Sequence, residues 1–398
     1  MIPRASGEIY AYQLPCPEGG SLKGKAMQSK KLAKTALDTL IQILKEQGYR
    51  VLGPQIRADA VIFDELASAE DLPRGIKSIQ EPGSYRLIDE GDERLFDFVH
   101  GPESLKRLLF APEETLWTVS TDGEVRFNDN LSEAPPVAVI GARACDIAGM
   151  QVQDRTFLQG SYAQYTDPYY ASRRENLFLV AVNCTRSAAT CFCTSMDTGP
   201  RAREGFDLAL TELEDEFLVE VGSAAGKAVA AKLPLKAATQ QDTQTAAEAI
   251  QSAADSQVRR LDTTNIYELL FDNLEHPRWD DVASRCLSCA NCVMVCPTCF
   301  CHREYDEMSL EGNHSQHKRQ WDACFTLEHG SVHGGHLRPQ IKQRYRQWLT
   351  HKLGSWIEQF GVSGCVGCGR CITWCPTGID LTEEVAAIRN QPGLKSHD

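Results

Sequence analysis

The sequence lacks any apolar run approaching the ~20 residues that a membrane-spanning helix needs. Its opening stretch, MIPRASGEIYAYQLPCPEGG, has no basic segment followed by an apolar core, so no secretory signal is visible. Positive charge is in short supply: 41 Lys and Arg stand against 54 Asp and Glu, a formal net charge of −13. That balance argues against nucleic acid as a partner, because phosphate binding wants a basic face. There is no G-x-x-x-x-G-K-[ST] loop, and VIGARA lacks the second and third glycines of a dinucleotide fingerprint. No Ser/His/Asp constellation can be assigned either. The expectation is a cytoplasmic protein with no catalysis of its own.

Cysteine is what the chain has in excess, with 16 in 398 residues. In a large, unexported protein the compartment is reducing, so disulfides give way to metal binding or redox chemistry. Otherwise the composition, 42% hydrophobic and 24% charged, is that of an ordinary globular protein. Its length predicts two or three domains.

Residues 1–26 read as a loose extension, which leaves Met27 as an alternative start. Apolar residues at helical spacing in 29–48 predict a helix closed by Gly48. YRVLGP and DAVIFDEL then read as short strands. PPVAVIG (135–141) and NLFLVAVNC (176–184) are buried-strand signatures flanking a helical ARACDIAGMQVQDRTFL, which suggests a piece of α/β sheet. An acidic stretch (204–220) and an Ala/Gln-rich segment (223–256), helical or a surface excursion, follow. Strand signals vanish from about 262 onward, where the cysteines concentrate. The expected fold is α+β: an α/β domain over 27–260, then a mainly helical, ferredoxin-like two-cluster domain over 261–398 with a long insertion.

RCLSCANCVMVCPTCFC (285–301) packs six cysteines into seventeen residues. Within it Cys286, Cys289, Cys292 and Cys296-Pro297 follow C-x2-C-x2-C-x3-C-P, and Cys365, Cys368, Cys371 and Cys375-Pro376 repeat the pattern. In this arrangement three thiolates wrap one 4Fe–4S cube and the fourth cysteine ligates the other cube. One cluster is therefore assigned Cys286, Cys289, Cys292 and Cys375, and the other Cys365, Cys368, Cys371 and Cys296. Structural zinc is the competing reading, but zinc ribbons use two Cys pairs without a third cysteine or the proline.

Sixty-eight residues separate Cys296 from Cys365, and they hold seven of the ten histidines. Within them, 329–357 has five Lys/Arg and no acidic residue. These cations either favour the reduced state of a nearby cluster or form a solvated helix face. Most of the histidines read as surface or packing residues. Cys145 and Cys184 follow the ends of the two buried strands, where ligands gather in an open α/β sheet. Cys191 and Cys193 return within one loop of Cys184. The four either ligate a third cluster or are small buried apolar residues. Cys299, Cys301 and Cys324 are one thiol short of a set unless a histidine or Cys16 joins them. They otherwise shield the clusters or bind something labile.

YRVLGPQIRADAVIFDEL, PGSYRL, GARACDIAG, TCFCTSMDTGP, CPTCFC, WDAC and GCVGCGRCITWCP together resemble the iron–sulfur beta subunit of cytoplasmic nickel–iron hydrogenases of the sulfhydrogenase type. They are also similar to the electron-input subunit of anaerobic sulfite reductases. The resemblance covers about residues 48 to 380; Ala144 stands where it would place a proline. It implies an electron-transfer subunit docked on a flavoprotein that binds FAD and NAD(P), with hydrogenase small and large subunits beyond. The alternative function is electron input to a sulfite reductase, and a third is a binding module with structural clusters only.

Overall fold

The computed structural model describes residues 29–391 apart from 122, 132 and 159–164. The expected extension 1–26, with Cys16, and the alternative start Met27 lie outside the described residues. In chain order the strands are β1 (Lys30–Ala33), β2 (Arg50–Arg57), β3 (Ala60–Glu65), β4 (Ile76–Glu81), β5 (Ser84–Asp89), β6 (Glu113–Ser120), β7 (Arg126–Asp129), β8 (Val137–Ala142), β9 (Leu177–Val182), β10 (Leu208–Glu212), β11 (Glu216–Val221), β12 (Lys236–Ala237), β13 (His302–Met308) and β14 (His314–Trp321). Eight of them form a mixed sheet in the order β12-β1-β11-β10-β9-β8-β2-β3. Its centre is parallel, with β2, β8, β9 and β10 running the same way. β8 and β9 are near-continuous apolar runs because both their faces are covered.

One face carries the helix Leu37–Glu46, whose Leu37, Leu40, Ile41 and Leu44 are fully buried against Phe178, Val180 and Phe217. The helix Ala144–Phe157 covers the other, packing Ile147 and Met150 on Leu179 and Ala181. This helix follows β8 directly. The parallel pairing therefore brings Arg143-Ala144-Cys145 and Asn183-Cys184 out at the same, carboxyl edge of the sheet.

The helix expected over 29–48 begins only at Leu37; residues 30–33 are β1 instead. Leu32 is fully buried opposite Phe217, and Lys31 pairs with Glu216 at 2.6 Å, so the sheet edge overrides local helical spacing. The acidic stretch 204–220 is a hairpin, β10 and β11, and 223–256 is mostly helical. Strands also continue past 262, which corrects the expectation that they vanish there. β13 and β14 form a hairpin in the insertion, and β14 pairs antiparallel with β6, giving a sheet ordered β13-β14-β6-β7. That sheet draws its strands from both sides of position 260.

Apart from the β13–β14 hairpin and a two-residue pairing of Ser331–Val332 with Gly335–His336, the regular structure of the cysteine-rich region is helical. The helices Arg278–Arg285, Ile341–Thr350 and Leu381–Asn390 enclose a core of Trp279, Val282, Tyr345, Trp348, Val385 and Ile388. Among the described residues no helix is long and apolar enough to cross a membrane.

Candidate metal centres

Cys286 caps the end of the helix Arg278–Arg285, and Cys292 sits in a short helix, Asn291–Met294. Between them the chain passes through two left-handed residues, Ser288 at φ 54° and Ala290 at φ 66°. Such conformations carry strain of order 1–3 kcal/mol each in a non-glycine residue. The tight coil sets Cys286, Cys289 and Cys292 around one cavity, and Cys375 from the second run lines it too. Phe325, Ile379 and Leu381 make its wall apolar. Tyr345 and Trp348 also line it, and their buried hydroxyl and indole N–H have no hydrogen-bond partner among the described residues. Cys371 lines it as well, and an anionic, sulfide-rich group fits a cavity with five thiols and unused donors.

The second run mirrors the first. Cys296 meets Thr298 at 3.1 Å, and the Thr298 hydroxyl donates to the Gly364 carbonyl at 2.6 Å, which sets Cys296 against the start of GCVGCGRC. After burial, the influences that push the Cys371 thiol up come from Cys368, Cys365, Cys296 and Cys292. For Cys292 they come from Cys286, Cys375, Cys289 and Cys296. The last cysteine of each run thus lies near the trio of the other. The ammonium of Lys352 lies 3.3 Å from Cys296 Sγ, 3.3 Å from Cys299 Sγ and 3.2 Å from the Gly364 carbonyl.

Cys145, Cys184, Cys191 and Cys193 converge on a third cavity beyond β8 and β9. Its wall is completed by Gly367 and Cys368 of the second run, and by the buried imidazole of His100. Two buried guanidiniums flank the site. Arg143 donates to the Phe96 and Phe98 carbonyls at 2.9 and 2.7 Å, and Arg370 pairs with Asp146, next to Cys145, at 2.6 Å. Gln257 donates to Cys193 Sγ at 3.1 Å. Four thiols with two cations nearby suit a group of net negative charge.

Close approach of the second run to this cavity depends on two glycines. Gly367 (φ 62°) and Gly369 (φ 76°) are left-handed, and a Cβ would fall 2.6 Å from the Phe192 carbonyl oxygen and 2.2 Å from that of Thr190 respectively. In the same way, a Cβ on Gly149 would meet Pro297 at 2.6 Å, so the helix Ala144–Phe157 sits directly on the first run.

The basic stretch of the insertion divides between the two roles open to it. Lys342 and Arg346 pair with Asp280 and Glu275, whereas Arg344 and Lys352 are buried. Nothing in the sequence sets Lys352 apart from the other cations, and the same holds for Arg143 and His100. Arg370 stands inside one of the cysteine runs and carries no further signal. Lys106 is also buried, donating to the Val293 and Met294 carbonyls and lying 3.9 Å over the Trp321 ring. Burial pushes its pKa down to about 8, although Cys299 and Cys296 pull the other way.

Burial pushes most of these thiols up, Cys193 and Cys365 to about 12. Cys296 is held well below the usual thiol range by hydrogen bonding from Cys299, with Lys352 and Thr298 beside it. A raised thiol is neutral at pH 7, and a ligand must be a thiolate, so each ligation releases a proton. Iron and sulfide uptake by the metal-free chain should therefore improve as pH rises between roughly 7 and 9, read as iron bound at fixed free iron. Uptake that falls over that range would contradict the protonated starting state.

Among the described residues, no three or more His, Cys, Asp or Glu side chains close on a point in the way a single-ion site requires. The cysteine sets instead surround cavities, and the ligands of a cube are spread around it.

Residues 285–379 match the family described as 4Fe-4S dicluster domain, which implies two 4Fe–4S clusters. The chain is 29% identical over 322 residues to sulfhydrogenase 2 subunit beta of Pyrococcus furiosus, covering 78% of this chain and 91% of that protein. No solved structure matches it.

Proposed function

We propose that this homologue of a sulfhydrogenase beta subunit is the electron-transfer subunit of a cytoplasmic, NAD(P)-linked nickel–iron hydrogenase. It exchanges electrons with a flavoprotein subunit that binds FAD and NAD(P), itself joined to the hydrogenase small and large subunits. One cluster takes Cys286, Cys289, Cys292 and Cys375, and a second takes Cys365, Cys368, Cys371 and Cys296. Cys145, Cys184, Cys191 and Cys193 hold a third. When bound, such clusters supply one-electron carriers. The observation that carries this reading is the shared wall between sets. Cys371 lines the first cavity and Cys368 the third, so the second set adjoins both.

The chain's own residues set the electrostatics. Lys352 against Cys296, and Arg370 beside Cys368 and Asp146, place buried cations where negative charge gathers. Their field favours the reduced state and keeps water from having to supply that compensation. Lys352→Met should lower the potential of the set that contains Cys296 by on the order of tens of millivolts. A redox titration followed by electron paramagnetic resonance checks this, and an unchanged potential would assign Lys352 to packing alone.

The function is tested on the anaerobically purified complex. The chain should co-purify with a flavoprotein and a nickel-containing subunit, and contain at least about twelve irons, four per cube. Co-purification with a siroheme protein would place it in a sulfite reductase instead.

A further inference from the structure

Cys299, Cys301 and Cys324 belong to none of the three sets above, yet they line one cavity together with His329, His351 and Lys352. Its volume is about 320 Å³, against about 30 and 10 Å³ for the cavities of the first and third sets. Cys299 and Cys301 come from the turn that leads into β13, and Cys324 from WDAC just after β14. The hairpin therefore returns the chain to the same place. Cys324 and His329 both hydrogen-bond the Cys301 thiol.

The setting of His329 is the informative part. Its Nδ1 lies 2.9 Å from a carboxylate oxygen of Asp322. Asp322 is itself buried and fixed by the Ala323 amide at 2.7 Å and the Thr326 hydroxyl. A buried carboxylate on one ring nitrogen sets the tautomer and leaves Nε2 to face Cys301; this is how metal-ligating histidines are held. Trp356, also lining the cavity, is buried with an indole N–H that has no partner among the described residues.

We propose that Cys299, Cys301, Cys324 and His329 hold a further iron–sulfur cluster, with Asp322 orienting the histidine. Three thiols and one imidazole also suit a zinc ion, but the side chains do not close on a point, as one tetrahedral ion requires. The site adjoins the second set, because Lys352 Nζ touches Cys299 and Cys296 alike. An imidazole in place of one thiolate makes the cluster less negative and raises its potential.

The test compares the whole chain with its Cys301→Ala/Cys324→Ala variant, both purified anaerobically, so that it reads a difference and does not depend on how many other clusters are present. The proposal expects the variant to lose about four irons and one paramagnetic signal, the remaining signals staying unchanged. Equal iron in both proteins overturns it. So does zinc in the parent that the variant lacks, or Cys301 and Cys324 recovered from the parent as a disulfide. If the double variant does not fold, His329→Cys decides. Iron content should be kept while the potential of one cluster falls, because thiolate replaces imidazole; unchanged potentials overturn the assignment.

Discussion

Cys296→Ala should remove iron from the set formed by Cys365, Cys368 and Cys371, far along the chain, and spare the one built by its own neighbours. The reason is positional. Cys296 is tied to Gly364 through Thr298, and it shares Lys352 with that segment. Cys292, only four residues earlier, is influenced by Cys286, Cys375 and Cys289 more than by Cys296. About four irons should be lost, with one signal abolished in electron paramagnetic resonance. Cys375→Ala should give the mirror result. Loss of the cluster nearest in sequence would show that each run closes on itself.

Arg370→Leu should be the most damaging change that touches no thiol. Its guanidinium is fully buried, pairs with the equally buried Asp146 at 2.6 Å, and donates to the Gly101 and Glu103 carbonyls at 2.9 Å each. Leucine would leave the buried Asp146 carboxylate with the Arg143 amide but without its cation, a loss of about 3–5 kcal/mol. Thermal unfolding of the loaded chain should show it as a marked drop in Tm. Adding Asp146→Asn should recover part of that drop, since a neutral amide is easier to bury than an unpaired carboxylate. If the single variant melts with the parent, the pair does not hold the two regions together.

The cysteine spacing is legible because cluster chemistry imposes it on contiguous residues. The strand–helix–strand unit is legible because its strands are buried on both faces and so are almost purely apolar. Strands β13 and β14 are not. HREYDEM and HSQHKRQW are mostly polar, and only their pairing with each other and that of β14 with β6 make them strands. β1 carries helical spacing because four residues cannot distinguish the two periods. Near the metal, Lys352 and Arg370 are out of reach for another reason. A buried cation looks like a surface one in sequence, and its partners, Cys296 and Asp146, lie 56 and 224 residues away.

The crossed runs also fix when the protein can be finished. As the chain leaves the ribosome, the mixed sheet has all its strands once β12 has emerged, but β6 and β7 wait for the β14 partner far later in the chain. On this assignment Cys286, Cys289 and Cys292 lack their fourth thiol until Cys375 is made, Cys296 waits for its trio at Cys365 to Cys371, and the third cavity lacks the wall supplied by Gly367 and Cys368 until then. A nascent chain therefore presents incomplete thiol sets for most of its synthesis. Iron delivered during that time meets two ferredoxin sites that cannot close, so their maturation has to wait for the segment that carries Cys365 to Cys375.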